Sequence, residues 1–265
     1  MSDDPFAQMK SAQREGWALF APLESVTTIP AARLVRHAGV RPGQRVLDVG
    51  CGTGVAALTA ARAGAQVSAL DLSPALIAHA QRHAELAQLR VDFQEGDVEA
   101  LPYEDGAFDV VLSQFGHMFA PRPELAIAQM LRVLKPGGTI AFSTWPPEHF
   151  VGQMFALVGK FVPPPPGAAP PPQWGDPNIV RQRLGDAVMD IRFDRDVMVF
   201  PALSPQHYRK NIEETLGPVV KLVAALQGEP ARLAAFRSEL EEFLGRYFED
   251  NMVRQHYLMT KATKR

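Results

Sequence analysis

Over residues 45–145 the chain alternates short apolar or β-branched runs with longer stretches of helical periodicity, and this restricts the fold more than any other feature. Strand, helix and strand in succession build a parallel sheet covered by helices. Strands are expected at 45–49, 66–70, 90–94, 108–113 and 139–144, with helices at about 54–63, 73–86 and 123–134. Ser73-Pro74 reads as an N-cap followed by proline at the first helical position, and Lys135-Pro136-Gly137-Gly138 stops the last helix and turns the chain into the next strand. The expected class is therefore α/β, a Rossmann-like and mostly parallel seven-stranded sheet flanked by helices.

The flanking segments are less regular. Residues 7–38 read as one or two helices with Trp17, Leu19, Phe20 and Leu23 on an apolar face. The proline-dense stretch 161–172 is expected to be extended rather than helical, a rigid connection beside the site rather than a lure for partner domains. Residues 188–200 alternate as a sixth strand and 253–260 as a seventh. Between them Leu233, Phe236, Leu240, Phe243, Leu244 and Tyr247 recur at helical spacing, which marks a helical insertion before the last strand. No internal repeat is found. One domain over 1–265 is expected: N-terminal helices in 1–40, the sheet core in 41–145, a proline-rich insertion in 146–187, and the last strands with their insertion in 188–265.

Composition fits this reading. With 265 residues, 46% hydrophobic and 21% charged, the chain can bury one substantial core. A formal charge of −2 lacks the Lys/Arg excess that nucleic acid or an anionic membrane calls for, which leaves a small molecule as the default partner. Cys51 is the only cysteine, so neither an internal disulfide nor a cysteine zinc cluster can form, in keeping with a reducing cytoplasm. The start, Met1-Ser2-Asp3-Asp4-Pro5, has no signal-peptide character, and no apolar run approaches the roughly 20 residues that span a bilayer.

The densest chemistry lies in Val46-Leu47-Asp48-Val49-Gly50-Cys51-Gly52-Thr53-Gly54, a buried strand running into a glycine turn at a helix start. Glycines there let a ligand approach the main chain, and the helix N-terminus offers unpaired N–H groups to a carboxylate. Asp71, at the end of the second strand, can accept both hydrogen bonds of a ribose diol. Glycine and acid together describe a nucleoside site with a charged tail. A dinucleotide site needs glycines at positions one, three and six. Counted from Gly50, the sixth position is Val55, and the third glycine is Gly54.

This G-x-G-x-G run preceded by Asp48 resembles the first motif of class I S-adenosylmethionine-dependent methyltransferases. Asp71-Leu72-Ser73 resembles the second motif, in which the acid holds the ribose and the next side chain packs on adenine. Glu95-Gly96-Asp97-Val98 resembles the motif whose aspartate and following N–H meet the adenine ring. Phe108-Asp109-Val110-Val111-Leu112-Ser113-Gln114-Phe115 resembles the fourth motif, and residues 131–138 are similar to the helix-to-strand signature of the quinone-biosynthesis-like small-molecule branch. The resemblance covers about residues 33–145. It implies S-adenosylmethionine as cofactor, held by Asp48, Gly50, Gly52, Thr53, Gly54, Asp71, Leu72, Asp97, Val98, Gln114 and Phe115. The flanking insertions would then form the acceptor pocket.

Acceptor-side signals are fewer. His117, just past the fourth strand, is the candidate general base, with pocket lining without proton transfer as the competing role and His149 as a weaker candidate. Trp17 and Phe20 either close over the donor or pack on the core. Cys51 is read as a small residue in a tight turn rather than a redox centre. Tyr257 and Lys261 have the spacing of an oxidoreductase pair but fall in an expected strand, and are read as chance. The segment Ser113-Gln114-Phe115-Gly116 lacks the signature of amino-methylating DNA enzymes, no Pro-Cys pair supplies a cytosine-attacking thiol, and adjacent carboxylates for magnesium are missing. A metal-independent in-line displacement on a small molecule is expected, with a nicotinamide oxidoreductase and a non-catalytic donor-binding protein as the alternatives. Oligomeric state is not legible.

Overall fold

Helices from the N-terminal segment and from between the strands pack around a central sheet in the computed structural model, which describes residues 4–163 and 166–265. The chain enters through α1 (Ala7–Trp17), a 3₁₀ segment (Ala18–Leu23) and α2 (Glu24–Ala38), which Gly39 ends in the left-handed region at φ 73°. The core then alternates β1 (Arg45–Val49), α3 (Val55–Arg62), β2 (Gln66–Asp71), α4 (Pro74–Ala87), β3 (Val91–Glu95), β4 (Phe108–Gln114), α5 (Pro123–Val133) and β5 (Leu134–Thr144). After it come α6 (Phe150–Phe161), α7 (Pro177–Leu184), β6 (Val188–Pro201), α8 (Pro205–Thr215), α9 (Gly217–Ala225), α10 (Pro230–Gly245), β7 (Phe248–Glu249) and β8 (Met252–Lys264).

The sheet order is β3-β2-β1-β4-β5-β8-β6, with β7 paired to β8. β1 to β5 are parallel, and β8 runs antiparallel between β5 and β6. Connections leave β1 toward β2 and β3 on one side and run from β4 to β5 on the other. The sheet therefore reverses its winding between β1 and β4, where open α/β sheets bind ligands at their carboxyl ends. Strand alternation drives the layering. Val46, Val110 and Leu112 face one apolar cluster with Leu34, Ala57 and Ala60, while Leu47, Val49 and Val111 face the other with Met130, Phe142 and Phe150.

The expected α/β sheet is present, with differences at its edges. Eight strands form rather than seven, because the chain before β8 doubles back through the two-residue β7. The insertion expected in 146–187 carries two helices, α6 and α7, one on each side of the proline-dense stretch. In α6, Phe150, Val151 and Met154 bury one face, and its last residue Phe161 belongs to the segment expected to be non-helical. Pro171 and Pro172 open a 3₁₀ turn (Pro171–Gly175), where a missing N–H costs nothing because the first donors of a turn have no partner. Pro164 and Pro165 lie outside the described residues. Tyr257 and Lys261 sit in β8, paired across to Asp196 and Ala141. No helix among the described residues is long and apolar enough to cross a membrane.

Candidate functional site

The carboxyl ends of β1, β2 and β4 open onto a cavity of about 210 Å³ whose lining includes Asp48, Gly50, Gly52, Thr53, Asp71, Leu72, Asp97, Val98, Gln114, Phe115 and His117. Of the expected set only Gly54 is set back, where it caps α3 at φ 84° with Ala80 and Phe93 3.0 and 3.3 Å from the place of a Cβ. Gly50 and Gly116 pack back to back. A Cβ on Gly116 would sit 2.4 Å from the Gly50 carbonyl oxygen, so the glycine turn and the loop after β4 interlock only without side chains. Gly52, at φ 55°, has nothing within 4 Å of its Cβ position. Its α-carbon faces open space, and a side chain there would fill the cavity.

Asp71 holds the turn, accepting from the N–H of Gly52 and of Ser73, each at 2.8 Å. Burial raises its pKa, and these backbone donors pull the other way. Asp48 has weaker relief, from the nearby Ala57 N–H, which makes no full hydrogen bond to it. It is fully buried, both carboxylate oxygens lack a hydrogen-bond partner among the described residues, and burial, with the Asp71 charge nearby, pushes its pKa up to about 8. Thr53 Oγ1 is likewise buried and unpaired. Such orphaned polar atoms lining a cavity are the mark of a ligand that supplies their partners. A nucleoside with a charged amino-acid tail, the expected ligand, carries hydroxyl and amine donors that such carboxylates can accept, and Gly52 leaves space for a main-chain approach.

The adenine-side motif is tied down by an ion cluster that the sequence did not reveal. Asp97 Oδ1 accepts from Glu99 N at 2.9 Å, and Lys10 Nζ meets Asp97 Oδ2 at 2.6 Å, Glu99 Oε2 at 2.5 Å and Asp4 Oδ2 at 2.7 Å. Burial works against the Lys10 charge, but its hydrogen bonds to three carboxylates outweigh that and raise its pKa. Arg122 closes the group on Glu99 with bonds of 2.8 and 2.6 Å. Asp4, Asp97 and Glu99 are close enough to share a cation, and the Lys10 ammonium lies among them. Lys10, Gln13 and Trp17 thereby bring α1 across the mouth of the cavity. Gln13 Nε2 donates to Phe119 O at 3.0 Å, and the Trp17 ring lies 4.6 Å from that of Phe119.

Just past β4, Phe115 adopts φ 61° and stacks on Trp145 at 3.9 Å, with Tyr257 edge-on at 5.6 Å. Gln114 Nε2 donates to Thr27 O at 2.8 Å, which fastens α2 to the end of β4. His117 lies against Phe142 and Trp174 at 4.6 and 4.7 Å, neither of which lines the cavity. Burial, with Arg183 adding to it, lowers its pKa to about 3, and neither ring nitrogen has a hydrogen-bond partner among the described residues. The imidazole is neutral at physiological pH. His149 sits apart, bonded to Arg195 at 3.1 Å. Cys51 is buried with its pKa raised by burial and by Asp71 and Asp48, the setting of an inert thiol. Trp145, Met154, Phe200, Tyr208 and Gln255 complete the cavity, and no sequence motif marks them.

Comparison with known proteins gives the same picture. The family described as a methyltransferase domain matches residues 46–138. An uncharacterized protein of Mycobacterium tuberculosis is 34% identical over 259 residues, which covers 96% of this chain and 94% of that one. The demethylmenaquinone methyltransferase of Renibacterium salmoninarum is 45% identical over 109 residues, 41% of this chain and 44% of its own. The Haemonchus contortus phosphoethanolamine N-methyltransferase 2, solved in complex with S-adenosyl-L-methionine, shares the fold with a TM-score of 0.57 at 18% identity over 89% of this chain and 52% of its own. From the interlocked glycine turn, the carboxylates of Asp48 and Asp71 beside it and these likenesses, the chain belongs to the class I S-adenosylmethionine-dependent methyltransferases, with S-adenosylmethionine as its cofactor.

Proposed function

We propose that this enzyme methylates a small, largely apolar acceptor held at the inner end of the cavity, without a metal ion. The observation that carries the reading is the continuity of one cavity. Its lining includes Asp48, Gly52 and Asp71 and also the apolar Trp145, Met154, Phe155, Met198 and Ile212, with Tyr208 and Gln255 as a polar pair. Among the described residues the lining carboxylates are Asp48, Asp71 and Asp97, and the apolar remainder favours an apolar molecule over a sugar, a phosphate or a polycation.

When bound, the cofactor supplies an electrophilic methyl group on a sulfonium. The protein's own part is to hold and align. Asp71 and the Gly52 amide fix the nucleoside end, ionised Asp48 neutralises the cationic tail, and the Phe115–Trp145 stack offers an aromatic wall to a positive charge. Alignment is worth effective molarities of about 10⁵ M or more, so a displacement at methyl needs little further assistance. We assign His117 to shaping the pocket rather than to proton transfer, because a group with a pKa near 3 takes up no proton at neutral pH. The acceptor would then arrive as a nucleophile already deprotonated or lose its proton to water. The net charge of −2 and the single buried cysteine support a cytoplasmic small-molecule role over action on nucleic acid.

The test is incubation of the enzyme with methyl-labelled S-adenosylmethionine and a cell extract, followed by phase separation. Label is expected in the solvent-extractable fraction and unchanged by EDTA. Label confined to nucleic acid or protein would overturn the reading, and label nowhere would favour a non-catalytic donor-binding protein.

A further inference from the structure

The inner end of the cavity contains one built polar feature. Tyr208 of α8 and Gln255 of β8 are 2% and 4% exposed, and Gln255 Nε2 donates to Tyr208 Oη at 2.9 Å. They meet from elements 47 residues apart in sequence. Around them the wall is apolar: Phe150 and Phe200 hold the Tyr208 ring edge-on at 5.8 and 4.7 Å, and Met198, Ile212 and Leu216 line the same end.

A buried hydrogen-bonded pair set in such a wall gains little for stability, since two apolar residues of the same shape would serve about as well. Its geometry has a direction, however. Gln255 donates to Tyr208 Oη, which fills one acceptor position of the hydroxyl and leaves the Tyr208 proton without an acceptor among the described residues. Burial holds the phenol far above its usual pKa, so the proton stays on the oxygen. The hydroxyl therefore acts as a donor and not as a base. A donor pointed at the nucleophile would slow methyl transfer by withdrawing its electron pair. Its partner must be a second atom of the acceptor.

We propose that Tyr208, oriented by Gln255, is a specificity-determining donor, and that the small apolar acceptor carries a hydrogen-bond-accepting oxygen, a carbonyl or ether, set back from the atom that is methylated. This rests on the reading of the inner end as the acceptor pocket. It accounts for the position of the pair: apolar walls bind the body of the acceptor without discrimination, while the donor selects the orientation that presents the nucleophile to the methyl group. A compound lacking the oxygen leaves the Tyr208 proton unpaired in a dry site.

The test uses 1-tetralone, whose carbonyl only accepts, and tetralin, which has the same bicycle without it. Each is titrated into the enzyme saturated with S-adenosylhomocysteine. The wild type should bind 1-tetralone about five- to tenfold more tightly than tetralin, the ratio one neutral hydrogen bond supports. Tyr208→Phe, which keeps the ring packing, should reduce the ratio to below twofold with tetralin affinity unchanged. Gln255→Leu should give an intermediate ratio, because Tyr208 keeps its proton but loses its orienting partner. Equal binding of the two probes by the wild type, or a preference that survives in Tyr208→Phe, would overturn the assignment. S-adenosylhomocysteine affinity, measured on the same samples, separates the two readings: its loss in the wild type would strike at the function proposed above, whereas its retention with no tetralone preference strikes only at the role of Tyr208.

Discussion

Replacing Asp48 by Asn should flatten the pH dependence of stability in the cofactor-free enzyme while removing cofactor binding. Asp48 is fully buried, its oxygens are unpaired, and its pKa is pushed from an ordinary value near 4 to about 8. The folded state thus binds a proton that the unfolded chain has already released. A folded pKa above the unfolded one stabilises below pH 4, and that contribution is lost progressively as pH rises toward 8. Each pKa unit is worth about 1.4 kcal/mol, so passing from pH 5 to pH 8 removes at most about 4 kcal/mol. Water entering the cavity screens part of this, and about 2 kcal/mol is the working figure, equivalent to about 4 to 8 °C in Tm for a chain of this size. Asn keeps the shape and cannot titrate. Its own unpaired amide costs a pH-independent amount, so the slopes are compared rather than the absolute values. Thermal unfolding of the cofactor-free proteins in matched buffers should give a wild-type Tm that falls by about 4 to 8 °C more than that of Asp48→Asn. Parallel profiles would refute the claim that Asp48 waits unpaired for a cationic ligand.

Other outcomes follow from the same geometry. Asp71→Ala should weaken S-adenosylhomocysteine binding by about 1.5 to 3 kcal/mol by calorimetry, the loss of a charged hydrogen-bonding group that also ties the Gly52 amide; unchanged affinity would contradict its role. Lys10→Met should lower Tm by about 6 to 12 °C, since about 3 kcal/mol is lost when buried Glu99, with Asp97 and Asp4 beside it, loses its ammonium; a shift under 2 °C would make the cluster ornamental. With an acceptor in hand, His117→Gln should leave the shape of the turnover–pH profile unchanged between pH 5.5 and 8, because the imidazole is already neutral there. An inflection near pH 6.5 that disappears in the variant would restore His117 as the base.

The donor half of the molecule was readable because its chemistry is local. Asp48, Gly50, Gly52 and Gly54 lie within seven consecutive residues, and the strand they follow fixes where they point. The second half resisted for a physical reason: Tyr208 and Gln255, or Lys10 and Glu99, meet only after the sheet and its helices have packed, and nothing near either partner announces the other. The α6 face of Phe150, Val151 and Met154 was present in the sequence but hidden behind the prolines that follow it. His117 lies in the lining of the cavity, and its burial between Phe142 and Trp174, which decides its protonation, depends on a turn more than fifty residues downstream.

The most direct measurement is calorimetric titration of the purified protein with S-adenosylhomocysteine and with NAD. One saturable site for S-adenosylhomocysteine is predicted, competed by S-adenosylmethionine and lost in Gly52→Val, whose side chain would enter the open space over the turn at a backbone angle of φ 55°. NAD should give no heat of binding. Saturable binding of NAD with none of S-adenosylhomocysteine, or full affinity in a folded Gly52→Val protein, would contradict the account.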